Sequence, residues 1–362
     1  MESKFDDAKL LSYTDSELYD HINSHPSLPE FSNVVSLSPK YLAKGYENGD
    51  MVEDALSAMK FASQLGIQVP HIERIVHGHG VYCIMDRIPG TRLDIAWHDL
   101  GWLASLRLAF QLRRVVQRMR SATSTSSGPI PTGKCTSYFF DDKFGLPARA
   151  KCHHVNAFLN FWANFPGFLN EKRKTPAEHA TCPRPVFSYN RPFVFTHHDL
   201  APRNMILDSE GQLQIIDWDE AGFYPESFEY AGMHNFIPRG WTQPALWRWK
   251  MLAWIAGGFY DKECRWLKRI RCMFTHFRMA RAFNLRADGY AAFSKRPFKE
   301  RPSTDGQRQP QTKEGSSAGN LAVNGSLSTI ANISHGVTHL PLQSVAHEAY
   351  ASSSVDGEGL VS

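Results

Sequence analysis

The stretch His197-His198-Asp199-Leu200-Ala201-Pro202-Arg203-Asn204, followed by Ile215-Ile216-Asp217-Trp218-Asp219, constrains this chain more than any other. His197, Asp199 and Asn204 are spaced H-x-D-x-x-x-x-N, and Asp217 stands thirteen residues beyond Asn204. The flanks supply a frame. Phe193-Val194-Phe195-Thr196 predicts a short apolar strand leading into the loop. Met205-Ile206-Leu207 and Leu213-Gln214-Ile215-Ile216 predict two strands, joined by the turn-forming Asp208-Ser209-Glu210-Gly211. Such a hairpin carries Asn204 at its entry and Asp217 at its exit, so both side chains emerge at one end.

This order and spacing suit phosphoryl transfer. Moving a γ-phosphoryl group requires an acid or base beside the acceptor hydroxyl and hard oxygen ligands for Mg²⁺ between the phosphates. Asp199 is the candidate base; Asn204 and Asp217 are the candidate metal ligands. Asp and Asn ahead of strands are also ordinary turn and cap residues. The hairpin around them and the apolar flank of Asp217 favour the chemical reading. His197 is read as a brace of the loop. Zinc is disfavoured at His198, because no Cys lies nearby.

These segments resemble the aminoglycoside phosphotransferase and choline kinase family, especially the fungal proteins that carry this domain. The resemblance runs from about residue 34 to about residue 283, roughly two thirds of the chain. It implies an α+β, protein-kinase-like two-lobed fold with a small β-rich N-lobe, a large helical C-lobe, and ATP between them. Matched by position, Asp199 corresponds to the catalytic base, and Asn204 and Asp217 to the Mg²⁺ ligands. Lys44 corresponds to the cation for the α- and β-phosphates, and Met85 to Ile88 to a hinge against adenine. The family usually carries an acid four residues before the Met of the small-lobe helix; here that place is Ala55, with Glu53 and Asp54 just upstream. No glycine lies between Ser32 and Lys44, so a G-x-G-x-x-G loop is missing. Backbone amides near Ser36 and Ser38 are the expected substitutes.

The chain divides by pattern into a polar N-terminal extension (1–33), an ATP-covering lobe (34–88), a catalytic and acceptor-binding lobe (89–283) and a disordered tail (284–362) rich in Ser, Gly, Gln, Pro and Thr. Leu10, Leu11, Tyr13, Leu18 and Tyr19 predict a short helix packed on the small lobe. Val34–Leu37 and Tyr41–Lys44 predict a hairpin, and Ala55, Ala58, Met59 and Ala62 share a helical face. Leu108, Leu112, Val115, Val116 and Met119 form a core stripe, as do Val155, Phe158, Leu159 and Trp162, and Leu267, Ile270, Phe274 and Phe277. Two loops are expected, at 121–133 and 171–185. Acceptor candidates are Asp141, Asp142, Asp219, Glu220 and the aromatics of 241–254.

A net charge of +4 over 362 residues gives no nucleic-acid signal. Six cysteines without a C-x-x-C pair read as reduced thiols. With no apolar leader and no apolar run long enough to span a bilayer, the expectation is a cytoplasmic protein without membrane insertion. The oligomeric state is not readable. Two functions follow: an ATP- and Mg²⁺-dependent small-molecule kinase, or a catalytically weak nucleotide-binding or scaffold protein of the same fold.

Overall fold

A computed structural model describes residues 5–281 except 30, 136, 171–185, 236 and 279. The expected loop at 171–185 and tail at 284–362 lie outside the described residues. The small lobe begins with helix α1 (Asp15–Ser24), which Thr14 and Glu17 start with a reciprocal capping box. Five antiparallel strands follow: β1 (Ser27–Leu28), β2 (Phe31–Ser36), β3 (Tyr41–Tyr46), β4 (Ile72–His77) and β5 (Val81–Asp86), in the order β1-β2-β3-β5-β4. Helix α2 (Gly49–Gln64) connects β3 to β4. The sheet thus starts at Ser27, ahead of the expected lobe start at 34. The hairpin around Ser38-Pro39 forms with Val34 opposite Lys44, and Lys44 opposite Cys83 on β5.

Alternation along β3 decides what each face does. Tyr41 and Ala43 join Val35 and Ile84 in a cluster covered by Phe5, Leu10, Leu18 and Ile22. Arg74 fastens that cover, donating to Tyr13 O (2.6 Å) and pairing with Asp15 (2.7 Å). Lys44 belongs to the opposite face, where Tyr46 and Cys83 pack with Val52 and Ala55 of α2.

The large lobe contains β6 (Thr91–Arg92), α3 (Leu93–Ala96), α4 (Trp102–Arg120), β7 (Thr123–Ser124), α5 (Cys152–Asn170), β8 (Phe193–Thr196), β9 (Met205–Leu207), β10 (Leu213–Ile215), β11 (Gly222–Tyr224), α6 (Ser227–Met233), α7 (Gln243–Gly257) and α8 (Asp261–His276). The chain thus builds a small lobe around an antiparallel sheet and a larger, mainly helical lobe after it. Leu108, Leu112, Val116 and Met119 are buried along α4, as are Val155, Phe158, Leu159 and Trp162 along α5. Leu267, Ile270 and Phe274 are buried along α8. Trp97 stacks on Trp241 in the same core, and Trp249 meets both rings edge-on. No helix among the described residues is long and apolar enough to cross a membrane.

Asp142 is fully buried and spent on structure. It accepts from Arg281 (Nη2, 2.8 Å), Trp162 (Nε1, 2.9 Å) and the N–H groups of Phe144 and Gly145. Removing one partner of a buried ion pair strands the other charge. Asp142→Ala is therefore expected to destabilise the protein by about 3–5 kcal/mol, read from urea denaturation; a loss no larger than that of an exposed Asp would disprove this role.

Candidate active site

The predicted hairpin is β9–β10, with Met205 opposite Ile215, and the next pair is joined by Ile216 N–H donating to Asn204 O (3.0 Å). Its turn is tied by Asp208, whose Oδ1 accepts from Glu210 N (3.0 Å) and Gln212 N (2.8 Å). The register brings Asn204 to the start of Asp217's strand exit. Asn204 Nδ2 donates to Asp199 Oδ2 (2.8 Å) and Asp199 O (3.0 Å). Arg203 donates to the same Oδ2 (2.5 Å). The other oxygen, Oδ1, is buried and accepts no hydrogen bond among the described residues.

The small lobe reaches this point through one side chain. Lys44 Nζ lies 2.6 Å from Asp217 Oδ1 and 2.7 Å from Asp219 Oδ2. Tyr46 OH donates to the other oxygen of Asp219 (3.2 Å), and its ring lies 5.2 Å from Nζ. Neither Glu53 nor Asp54 pairs with Lys44, and Asp50, at the start of α2, pairs with Lys134. Asp54 accepts from Thr132 N (3.2 Å) and Oγ1 (2.8 Å), Glu53 is exposed, and Ala55 is packed in the apolar cluster.

The electrostatics follow from burial. For Lys44 burial opposes the charge, but Asp217 and Asp219 outweigh it and raise the ammonium's pKa. Burial likewise opposes ionisation of Asp217, yet Lys44 holds its carboxyl below the usual range. Burial and the charge of Asp217 raise Asp219, against the pull of Lys44. Burial also raises Asp199, against Arg203 and Asn204.

The loop between β8 and Asn204 is braced from three sides. Glu229, buried on α6, accepts from the N–H groups of His197 (2.7 Å) and His198 (3.1 Å). His197 Nε2 lies 3.0 Å from Ile216 O, and its Nδ1 faces Asp199 N–H at 3.3 Å. A neutral ring protonated at Nε2 serves both contacts, and burial pushes its pKa down to about 4. His197 thus braces the loop, as the sequence suggested. His198 sits at φ 72°, its Nε2 2.6 Å from Ser137 Oγ, while Tyr138 OH donates to its carbonyl (2.6 Å). Gly232 on α6 must be small, because a Cβ there would meet His198 O at 2.9 Å. Asp217 is also left-handed, at φ 67°.

Met85 lies on β5, paired with Leu42 on one side and Ile72 on the other; Ile88 stands in the connection to β6. The N–H groups of Asp86 and Arg87 are committed to His71 O (3.0 Å) and Lys40 O (2.7 Å). In the turn that carries Ser36 and Ser38, the N–H groups of Leu37 and Ser38 point to Tyr41 O (3.2 and 3.3 Å). Arg87 donates to Ser36 Oγ, and Ser38 Oγ accepts from the N–H groups of Lys40 and Tyr41, which fixes that turn. Sequence reasoning missed Arg203, Tyr46 and Glu229. For Glu229 a signal existed: one acid in the otherwise uncharged Ser227-Phe228-Glu229-Tyr230-Ala231.

A family model described as "Phosphotransferase enzyme family" matches residues 38–249. Among solved structures, the chain is similar to the aminoglycoside phosphotransferase APH(3'')-Id of Streptomyces rimosus, at 16% identity over 71% of this chain and 98% of that one, with a TM-score of 0.41. A second is the spectinomycin phosphotransferase APH(9)-Ia in an AMP-bound complex, at 15% identity, 74% and 90% coverage and a TM-score of 0.41. A third is the ternary complex of APH(2")-IIa with streptomycin and ATP, at 15% identity, 73% and 94% coverage and a TM-score of 0.40. No curated protein matches the sequence. The family match spans more than half of the chain and carries the comparison.

Glu220 adds a pH-sensitive element. Burial, then the charges of Asp199, Asp219, Asp217 and Asp141, raise its pKa from 4.5 to about 7, and its Oε2 is buried without a hydrogen bond. A carboxyl raised on folding stabilises the fold below its unfolded pKa and loses that contribution as pH rises through the folded one. Wild type is therefore expected to lose stability relative to Glu220→Gln between pH 4.5 and about 7. Thermal unfolding across that range checks this; parallel curves for the two proteins would refute it.

Proposed function

The chain belongs to the phosphotransferase enzyme family, and we propose that it transfers the γ-phosphoryl group of ATP to a hydroxyl of a small molecule. The observation that carries this reading is the convergence of Lys44 on Asp217 beside the bonded pair Asp199 and Asn204. A cation for phosphates, oxygen donors for a metal and an acid for the acceptor are then within one cleft.

Asp199 is the proposed base. Its pKa is raised, which suits a proton acceptor, and its unbonded Oδ1 is the atom for the acceptor's O–H. The acceptor oxygen bonds to the γ-phosphorus as the bond to ADP breaks, and the hydroxyl proton passes to Asp199. Arg203 and Asn204 hold the carboxylate in position. Lys44 steadies the phosphates. Asp219 positions Lys44, the work an acid on α2 would otherwise do.

The donor set fits magnesium. Asp217 offers carboxylate oxygens, and Asn204 directs its amide nitrogen to Asp199, leaving its amide oxygen as the ligand atom. Asp217 and Asn204 would hold Mg²⁺, whose charge would offset that of the phosphates. Met85 and Ile88 are the proposed adenine contacts. Asp141 and Glu220 remain as acids for a polar acceptor, whereas Asp142 is spent on Arg281. The weaker-catalyst reading has one observation in its favour: Lys44 has no acid partner on α2.

The test begins with thermal stability in ATP and Mg²⁺. A magnesium-dependent rise, absent in Asp217→Ala, is the expected outcome; no rise in the wild type would leave the scaffold reading. Asp199→Asn is expected to retain nucleotide binding and lose about 10²–10⁴-fold in turnover, followed as ATP consumption with a panel of hydroxylated acceptors. Unchanged turnover would remove Asp199 from its role. Asp219→Asn should raise the KM for ATP more than it lowers kcat; an effect on kcat alone would rule out its positioning of Lys44.

A further inference from the structure

Among the described residues, helices α4 and α7 carry a set of large apolar side chains that remain exposed. Helices α4 and α7 run side by side in the same direction: Trp97, just ahead of α4, donates to Ala245 O (2.9 Å), Arg113 to Ile255 O (2.8 Å) and Arg120 to Gly257 O (2.5 Å). Along α4, Trp102, Leu106 and Phe110 recur every four residues, with Leu103 beside them; along α7, Trp247 and Trp254 stand seven apart. Each spacing returns to one side of its helix. That side is away from the buried rows, Leu108, Leu112 and Val116 on α4 and Trp249, Leu252 and Ala256 on α7. The six residues keep between 36% (Leu106) and 85% (Leu103) of their surface exposed. Apolar patches of this kind on a surface mark a contact.

Charge selects the contact. Neither α4 nor α7 contains an Asp or a Glu, and the nearest acids in sequence, Asp99 and Asp261, lie outside both helices. Arg107, Arg113, Arg114 and Lys250 are exposed among the apolar side chains. A second copy docked about a twofold axis would press this cationic face against itself. A surface that is apolar at depth and anionic at its boundary matches both components: Trp, Phe and Leu enter the headgroup layer while Arg and Lys pair with phosphates. We propose that the α4–α7 face rests on an anionic lipid bilayer as a peripheral docking surface. The contact is peripheral in kind, since no helix among the described residues is long and apolar enough to cross a bilayer.

The experiment is sedimentation of the full chain with phosphatidylcholine vesicles, with and without phosphatidylserine. Binding that requires phosphatidylserine and weakens with salt is expected. Arg114→Glu combined with Lys250→Glu should reduce it about tenfold or more, as each basic residue near such a surface is worth about fivefold. Trp247→Ser combined with Trp254→Ser should reduce it as well. All these positions are exposed, so unfolding midpoints should stay at the wild-type value; if the Trp pair shifts its midpoint, the charge pair carries the test. Three results would overturn the proposal. One is equal sedimentation with neutral vesicles or none at all. Another is phosphatidylserine binding that both variants retain, which would assign it to basic residues elsewhere. The third is a concentration-dependent dimer that the Trp variant abolishes, which would make a second copy the occupant.

Discussion

The position of Lys44 between Asp217 and Asp219 is the interaction on which the rest of this structure depends. It joins the middle strand of the small lobe to the exit of a hairpin in the large lobe, across the cleft between them. One cation shared by two half-buried carboxylates is a stable arrangement only because each partner offsets the desolvation of the others. The same arrangement is incomplete: two acids share one lysine, and Asp199 and Glu220 add further negative charge that burial penalises. The site thus holds more carboxylates than cations.

Around this point the backbone is held in conformations that side chains ordinarily avoid. His198 and Asp217 are both left-handed, a cost of order 1–3 kcal/mol each. The surroundings over-determine both. Glu229 takes two successive N–H groups of the loop, Tyr138 takes the carbonyl of His198, and His197 links Asp199 N–H to Ile216 O. Burial keeps His197 neutral, so this link persists across the ordinary pH range. The rigid loop is what lets Asp199, Asn204 and Asp217 meet at one end of a hairpin of only three paired residues per strand.

Much of this was legible in the sequence because it is local. The β9–β10 hairpin follows from two apolar runs flanking a turn with Asp208 and Gly211, and it fixes Asn204 and Asp217 within a few residues of each other. The core stripes of α4, α5 and α8 follow from helical periodicity. The fate of individual polar residues was less legible. Asp142 and Asp219 look alike in the sequence as acids for an acceptor, yet one binds Arg281 from the far end of the described chain and the other binds Lys44. Trp249 and Trp254 sit on one helix, one buried and one exposed, because the choice depends on which face meets α4.

By itself the sequence determined the chemistry that this chain can attempt: an acid, an amide and a second acid in the order and spacing of phosphoryl transfer, carried on a strand–loop–hairpin. Local hydrogen bonding and hydrophobic alternation are enough to specify that much. Only the tertiary structure decided which carboxylates meet Lys44, since the pairing spans 173 residues and no short-range pattern encodes it. It also decided that Ala55 closes an apolar cluster, that Asp54 ties α2 to Thr132, and that Glu229 lies beneath the loop. These outcomes rest on how helices and sheets pack, and buried polar groups take whatever partner that packing brings within reach.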